Sequence, residues 1–218
     1  MSKTILLAGA TGLVGSACLT LLLADERVDK VIALVRRPLT ITHPKLEQWV
    51  GDDLQEELKP VKVDAVICCL GSTIKNAGSQ AAFLAVDKAL PLGIARWAKA
   101  QGVPTYVIIS AVGADPGSRV FYSRVKGEVE RELEAMQFSN LSLFQPSVLS
   151  GPRQEKRFGE GVGIVVMHLL GPLLLGSLAR LRVMPHMVLA KALVEAAIDP
   201  QAGVQRYTYR AIRRMAGI

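Results

Sequence analysis

Over its first 150 residues the chain alternates short apolar runs with segments of helical length, and this alternation limits the fold more than any other feature. The runs are Lys3–Ala8, Val31–Val35, Leu46–Val50, Ala65–Leu70, Tyr106–Ile109 and Leu141–Phe144. Between them lie Leu13–Ala24, the Ala- and Leu-rich stretch Ala77–Ala100 and Phe121–Met136. Pro91 lacks an N–H, so it should kink the second helical stretch or start its second half. Strands that alternate with helices make βαβ units, so the expected class is α/β, a doubly wound parallel sheet covered on both faces. After Gly151 the alternation fails, and the segment to Met187 reads as loop and helix. The expected organisation is a single domain over 1–218, with a cofactor core in 1–150 and a helical and loop lid plus C-terminal elements in 151–218.

The first helix-opening turn narrows the function. Gly9-Ala10-Thr11-Gly12-Leu13-Val14-Gly15 follows an N-terminal strand and begins a helix. The first glycine suits a tight turn, the second lets backbone approach a pyrophosphate, and the third lets the helix pack on the strand. The helix N-terminus then offers N–H groups and a positive dipole end to phosphate, so Gly9, Thr11, Gly12, Leu13, Val14 and Gly15 are candidate dinucleotide contacts. An NAD site places an acid about 20 residues further on, but here Arg36 and Arg37 stand there, and Leu34–Pro38 holds no carboxylate. Guanidinium forks bind phosphate, so the expected cofactor is NADP(H). Asp52, after the third strand, would lie near the adenine.

A second constellation supplies chemistry. Tyr122 and Lys126 are four residues apart and share a helix face, and Lys126 lies against the buried stripe of Val125, Val129 and Leu133. The other charged groups, Arg124, Glu128, Glu130, Arg131, Glu132 and Glu134, are assigned to the outer arc. Ser110 ends the fifth strand, on the edge where open α/β sheets bind ligands. A phenol next to an ammonium can give a proton to a carbonyl oxygen while the serine holds that oxygen. The catalytic candidates are therefore Ser110, Tyr122 and Lys126.

These residues resemble the short-chain dehydrogenase/reductase superfamily, in particular its atypical branch and the Tat-interacting-protein-like oxidoreductases. The resemblance is carried by the glycine turn, Cys68-Cys69-Leu70-Gly71-Ser72-Thr73, Val86-Asp87, Ser110-Ala111, Tyr122…Lys126-Gly127-Glu128-Val129-Glu130, Arg153-Gln154-Glu155 and Gly159-Glu160. It implies a Rossmann-like fold, NADPH along Gly9, Gly12, Gly15 and Arg36, and catalysis by the serine, tyrosine and lysine above. It also implies cofactor contacts at Gly71, at Lys75 and through the backbone of Pro146-Ser147-Val148. Gln145 stands where the superfamily usually has arginine, and Asp87 stands at about the place of its catalytic asparagine. The expected function is NADPH-dependent reduction of a small carbonyl compound. The alternative is a non-catalytic NADPH-binding protein that reports redox state to protein partners.

Composition sets the remaining expectations. Half the residues are hydrophobic and the net charge is +7, which suits a phosphate-bearing ligand but does not identify one. Arg206, Arg210, Arg213 and Arg214 could form the basic face of a terminal helix that binds nucleic acid. A solvated face explains them better, so no nucleic-acid partner is expected. The uncharged stretches Ile5–Leu23 and Gly161–Ala179 read as buried, without stable membrane insertion. His168 and His186 read as structural, and no metal site is expected. A homodimer is left open. Cys18, Cys68 and Cys69 give no disulfide framework, from which a cytoplasmic location is expected.

Overall fold

The computed structural model describes residues 2–151 and 182–218. The expected lid, with Arg153, Gln154, Glu155, Arg157, His168 and the stretch Gly161–Ala179, thus lies almost wholly outside the described residues. The strands of the main sheet are β1 (Lys3–Ala8), β2 (Val28–Val35), β3 (Leu46–Val50), β4 (Ala65–Cys68), β5 (Thr105–Ile109), β6 (Asn140–Phe144) and β9 (Gly203–Tyr207). They pair in the order β3-β2-β1-β4-β5-β6-β9, every neighbour parallel. The order reverses direction between β1 and β4, and open α/β sheets bind ligands outside the C-terminal ends of the strands at such a switch point.

Parallel strands covered on both faces need apolar side chains on both, which is why β1 carries Ile5, Leu6 and Leu7 in succession, all fully buried. Alternate residues feed two cores. Ile5, Leu7, Val31, Ala33 and Ile67 pack with helix α1 (Leu13–Ala24) and helices α6 (His186–Ile198) and α7 (Tyr209–Met215). Leu6, Ile32, Leu34, Val66 and Tyr106 face helices α4 (Leu90–Ala100) and α5 (Phe121–Ala135). Each fully buried large aliphatic contributes about 1.5–3 kcal/mol, so this two-sided burial dominates the sheet's stability.

The expected helix over Ala77–Ala100 is built in pieces. Thr73 caps the short helix α2 (Ile74–Ala77), Gly78 ends it at φ +82°, and Ser79 caps α3 (Gln80–Leu84). A π-helical turn at Ala85–Ala89 follows and runs directly into α4, with Pro91 at the start of this second half. The strand and helix alternation resumes after residue 182. Its first element is β8 (Met184–Pro185), which pairs back with β7 (Leu149–Ser150) in a two-residue ladder, and α6, β9 and α7 follow. Arg206 is therefore a strand residue, and the terminal helix starts only at Tyr209, so the four arginines do not share one helical face. Arg206 pairs instead with Glu134 of α5. Ile5–Leu23 is strand, turn and helix, and among the described residues no helix is long and apolar enough to cross a membrane.

Candidate active site

The glycine turn is shaped by close backbone approach. Gly9 has φ +86°, and a Cβ there would lie 2.8 Å from the Cys69 carbonyl carbon. A Cβ on Gly15 would lie 2.0 Å from the Gly9 oxygen, so the first turn of α1 packs onto the loop with no room for a side chain. Within the loop Gly12 N–H donates to Gly9 O at 3.0 Å, and the first bond of the helix is Ser16 N–H to Gly12 O at 2.9 Å. Gly12 is the N-cap, and no side chain caps this end. The first-turn amides of Leu13, Val14 and Gly15 therefore lack the side-chain acceptor that an N-cap normally supplies. A diphosphate group fits this cradle, since it needs converging N–H donors and a surface without Cβ atoms.

The other adenosine-side candidates lie at the ends of neighbouring strands. Arg36 and Arg37 follow β2 directly and are exposed, and Asp52 is exposed just beyond β3. Lys75 is exposed on α2. On the other side Pro146 is buried and Val148 exposed after β6. Their carbonyls accept from Val112 N–H at 2.9 Å and Met184 N–H at 2.8 Å, which fixes the path of the segment. The strand order thus gathers all the candidates at the C-terminal edge of the sheet.

Beneath this edge thiols line the turn. Cys18 and Cys69 sulfurs are 3.9 Å apart, and all three cysteines are free. The hydrogen bond to Cys18, together with burial, pushes the Cys69 thiol well up, and burial pushes Cys68 up to about 11. Free thiols agree with the absence of a disulfide framework expected from the sequence.

The tyrosine and lysine occupy one face of α5 as their spacing requires. Tyr122 is half-buried, its ring 5.7 Å from that of Phe83. Lys126 is 5% exposed, and its Nζ sits 6.0 Å from the Tyr122 ring centroid. The closer partner of Lys126 is Asp87 in the π-helical turn, with Nζ 2.8 Å from Oδ1. Burial pulls the Lys126 ammonium down, but Asp87, and then Tyr122, outweigh it, so its pKa stands above the ordinary lysine value. The second oxygen of Asp87 accepts the Ser72 N–H at 2.8 Å. Gly71 rests on this pair, since a Cβ there would be 3.4 Å from Asp87 Oδ1 and 3.9 Å from Lys126 Nζ. The loop after β4, the π-helical turn and α5 are thereby joined at one buried ion pair.

Ser110 is buried at the end of β5, its N–H bonded to Phe144 O at 2.7 Å. Its hydroxyl donates to Glu130, whose carboxylate also receives Gln145 Nε2, 3.0 Å from each oxygen. The outer-arc assignment of Glu130 is overturned, because that side chain is only 5% exposed. The missed signal was the spacing 122, 126, 130. Successive steps of four turn only about 40°, so Glu130 stays close to the face of Lys126.

Residues 9–146 match the family model described as NAD(P)H-binding. The chain belongs to this NAD(P)H-binding family. Within it, the chain is of the atypical short-chain dehydrogenase/reductase type. It is 37% identical over 163 residues to "Protein FMP52, mitochondrial" of Eremothecium gossypii, covering 73% of each chain. It is 37% identical over 165 residues to "Protein HTATIP2" of Rattus norvegicus, covering 73% of this chain and 68% of that one. Among solved structures, WbmH of Bordetella bronchiseptica in complex with NAD+ aligns with a TM-score of 0.67 at 18% identity, over all of this chain and 80% of that one. MoeE5 in complex with UDP-glucose and NAD aligns at 0.67 and 18%, over 98% of this chain and 81% of that one. At such identity these two likenesses concern the fold, an NAD(P)-binding Rossmann-like one.

One expectation is corrected by the relatives. Fungal members from Eremothecium gossypii, Aspergillus niger and Coccidioides immitis are named as mitochondrial proteins, which overturns the cytoplasmic location expected from the cysteines. Free thiols argue against an oxidising compartment, but they do not choose among reducing ones.

Proposed function

We propose that this NAD(P)H-binding protein is an NADPH-dependent oxidoreductase that reduces a small aldehyde or ketone. The carrying observation is that Tyr122 and Lys126 share one face of α5 at the C-terminal sheet edge, with Lys126 held by Asp87 against Gly71 and Ser72. When bound, the reduced nicotinamide supplies the hydride, which adds to the carbonyl carbon. Tyr122 donates its phenolic proton to the carbonyl oxygen, the product is the alcohol, and the phenolate regains a proton from solvent. Lys126 binds the nicotinamide ribose hydroxyls and steadies the phenolate, and Ser110 stands beside the reacting oxygen. Gly9, Thr11, Gly12, Leu13, Val14 and Gly15 hold the diphosphate. Arg36 and Arg37 take the 2′-phosphate, which selects NADP(H) over NAD(H). Asp52 lies by the adenine, Gly71 and Lys75 contact the cofactor from the segment after β4, and Pro146 and Val148 meet the nicotinamide.

The test is steady-state reduction of a broad aldehyde and ketone panel by wild type and Tyr122→Phe. Wild-type turnover with some member is expected, and removing the proton donor should lower kcat by roughly 10²–10⁴-fold while NADPH binding is kept. Absence of turnover in both proteins, with NADPH still bound, would leave a nucleotide-binding protein without this chemistry.

A further inference from the structure

Asp87 and Lys126 are opposite charges almost wholly out of water, 1% and 5% exposed, with Nζ 2.8 Å from Oδ1. In the reduction described above Asp87 serves only to hold Lys126 in place. The same Nζ lies 6.0 Å from the Tyr122 ring centroid, so the charge beside Lys126 is felt at the phenol. Reduction needs both protons of the Tyr122–Lys126 pair. The phenol must carry one in order to give it up, and the ammonium must be charged to steady the phenolate that remains.

The groups that face this pair from other elements add little charge. From β4 comes the Cys68 thiol, which burial pushes up to about 11 and so keeps neutral at pH 7. The loop after β4 brings Gly71 and the Ser72 N–H, and α3 brings the Phe83 ring. Lys88, next to Asp87, turns to Glu128 and Glu132, while Glu130, one turn beyond Lys126, turns to Ser110 and Gln145. The charges of α4, Arg96 and Lys99, stand at exposed positions. With Asp87 ionised, the protonated pair and its partner carry no net charge together. Losing a proton then leaves an uncompensated negative charge in a largely buried place. Without the Asp87 charge the protonated pair is a net positive charge there, and losing a proton relieves it. The direction is the same whichever group gives up the proton, since the two titrate as a pair.

We infer that Asp87 is a positioning residue that acts through Lys126, its charge keeping both protons on the Tyr122–Lys126 pair through neutral pH, the state from which Tyr122 donates. The inference rests on the reductase reading above and names the charge that reading needs.

The experiment is the pH profile of kcat, at saturating NADPH, for an aldehyde that wild type reduces, with wild type, Asp87→Asn and Asp87→Glu. NADPH affinity is measured alongside. Wild-type kcat should hold level from about pH 7 to about pH 9 before it falls. Asp87→Asn keeps an oxygen for the Ser72 N–H but no charge, so its fall should come about one pH unit lower or more. Asp87→Glu keeps the charge. Its fall should stay within about half a pH unit of wild type, even where the longer side chain displaces Lys126 and lowers the plateau. A mere structural tether would change the plateaus and leave all three profiles falling at the same pH, and that result would overturn the inference. So would a wild-type rate that already falls between about pH 7 and pH 9, a result that needs no variant. A wild type that binds NADPH but reduces nothing would instead remove the reductase reading, and the inference with it.

Discussion

The two halves of the sheet's C-terminal edge are built on opposite plans. At β1 and α1 the functional groups are backbone, the helix end has no side-chain cap, and Arg36 and Arg37 stand exposed. At β4, β5 and α5 the functional groups are side chains, and Lys126 and Ser110 already have partners, Asp87 and Glu130. The first half is complete before a ligand arrives and costs nothing to organise, because sterics alone set the positions of the amides. The second depends on buried carboxylates that hold an ammonium and a hydroxyl in place. Binding should therefore depend most on the backbone half, and chemistry and stability on the side-chain half.

The largest expected break comes from Asp87→Ala, which strands the buried Lys126 ammonium. Losing one member of such a pair costs about 3–5 kcal/mol, seen as a fall in urea midpoint with little change in m. If stability is hardly altered, the side-chain half does not rest on that pair. Gly15→Ala attacks the backbone half, where the new Cβ would meet the Gly9 oxygen at 2.0 Å. It should cost about 1–3 kcal/mol in stability and remove measurable NADPH binding by calorimetry. Retained affinity would show that the turn is not the phosphate site. Arg36→Ala and Arg37→Ala should together weaken NADPH about tenfold, roughly 1.4 kcal/mol, and leave NADH affinity as it was. Equal losses for both nucleotides would remove the 2′-phosphate contact.

The smallest effect is in alkali. The folded pKa of Lys126 is raised above that of the unfolded chain. Its stabilising contribution is thus fully present below the unfolded value of about 10.4 and is lost as pH climbs through the higher folded one. Stability of wild type should fall more steeply above that pH than that of Lys126→Met, measured by denaturant melts across the alkaline range. Parallel curves would mean that the ion pair is not what alkali breaks.

The backbone half was legible in the sequence because sterics leave a direct record there. Only glycine serves at Gly9 and Gly15, and β1 and α1 fall where their patterns end. The six core strands were legible for the same reason, since a parallel core strand is apolar on both faces, although β2 starts at Val28, three residues before its apolar run, and β4 ends at Cys68, two residues before the end of its own. The side-chain half was legible only in part. The spacing of Tyr122 and Lys126 predicts one face, but nothing local records that Asp87, 39 residues before Lys126, turns inward on a π-helical turn. Glu130 was misplaced because a carboxylate on a charge-rich helix ordinarily faces water, and its burial depends on Ser110 and Gln145 arriving from other strands. Arg206 was misassigned likewise, because pairing with β6 extends β9 through Tyr207.

The central claim is that β1, its glycine turn and α1 form a ready receptacle for a dinucleotide diphosphate. Isothermal titration of the wild-type chain with NADPH and then NADH tests it most directly. Saturable one-to-one uptake, tighter for NADPH by about tenfold, is the predicted result. Heats no larger than dilution for both nucleotides would contradict the account at its base.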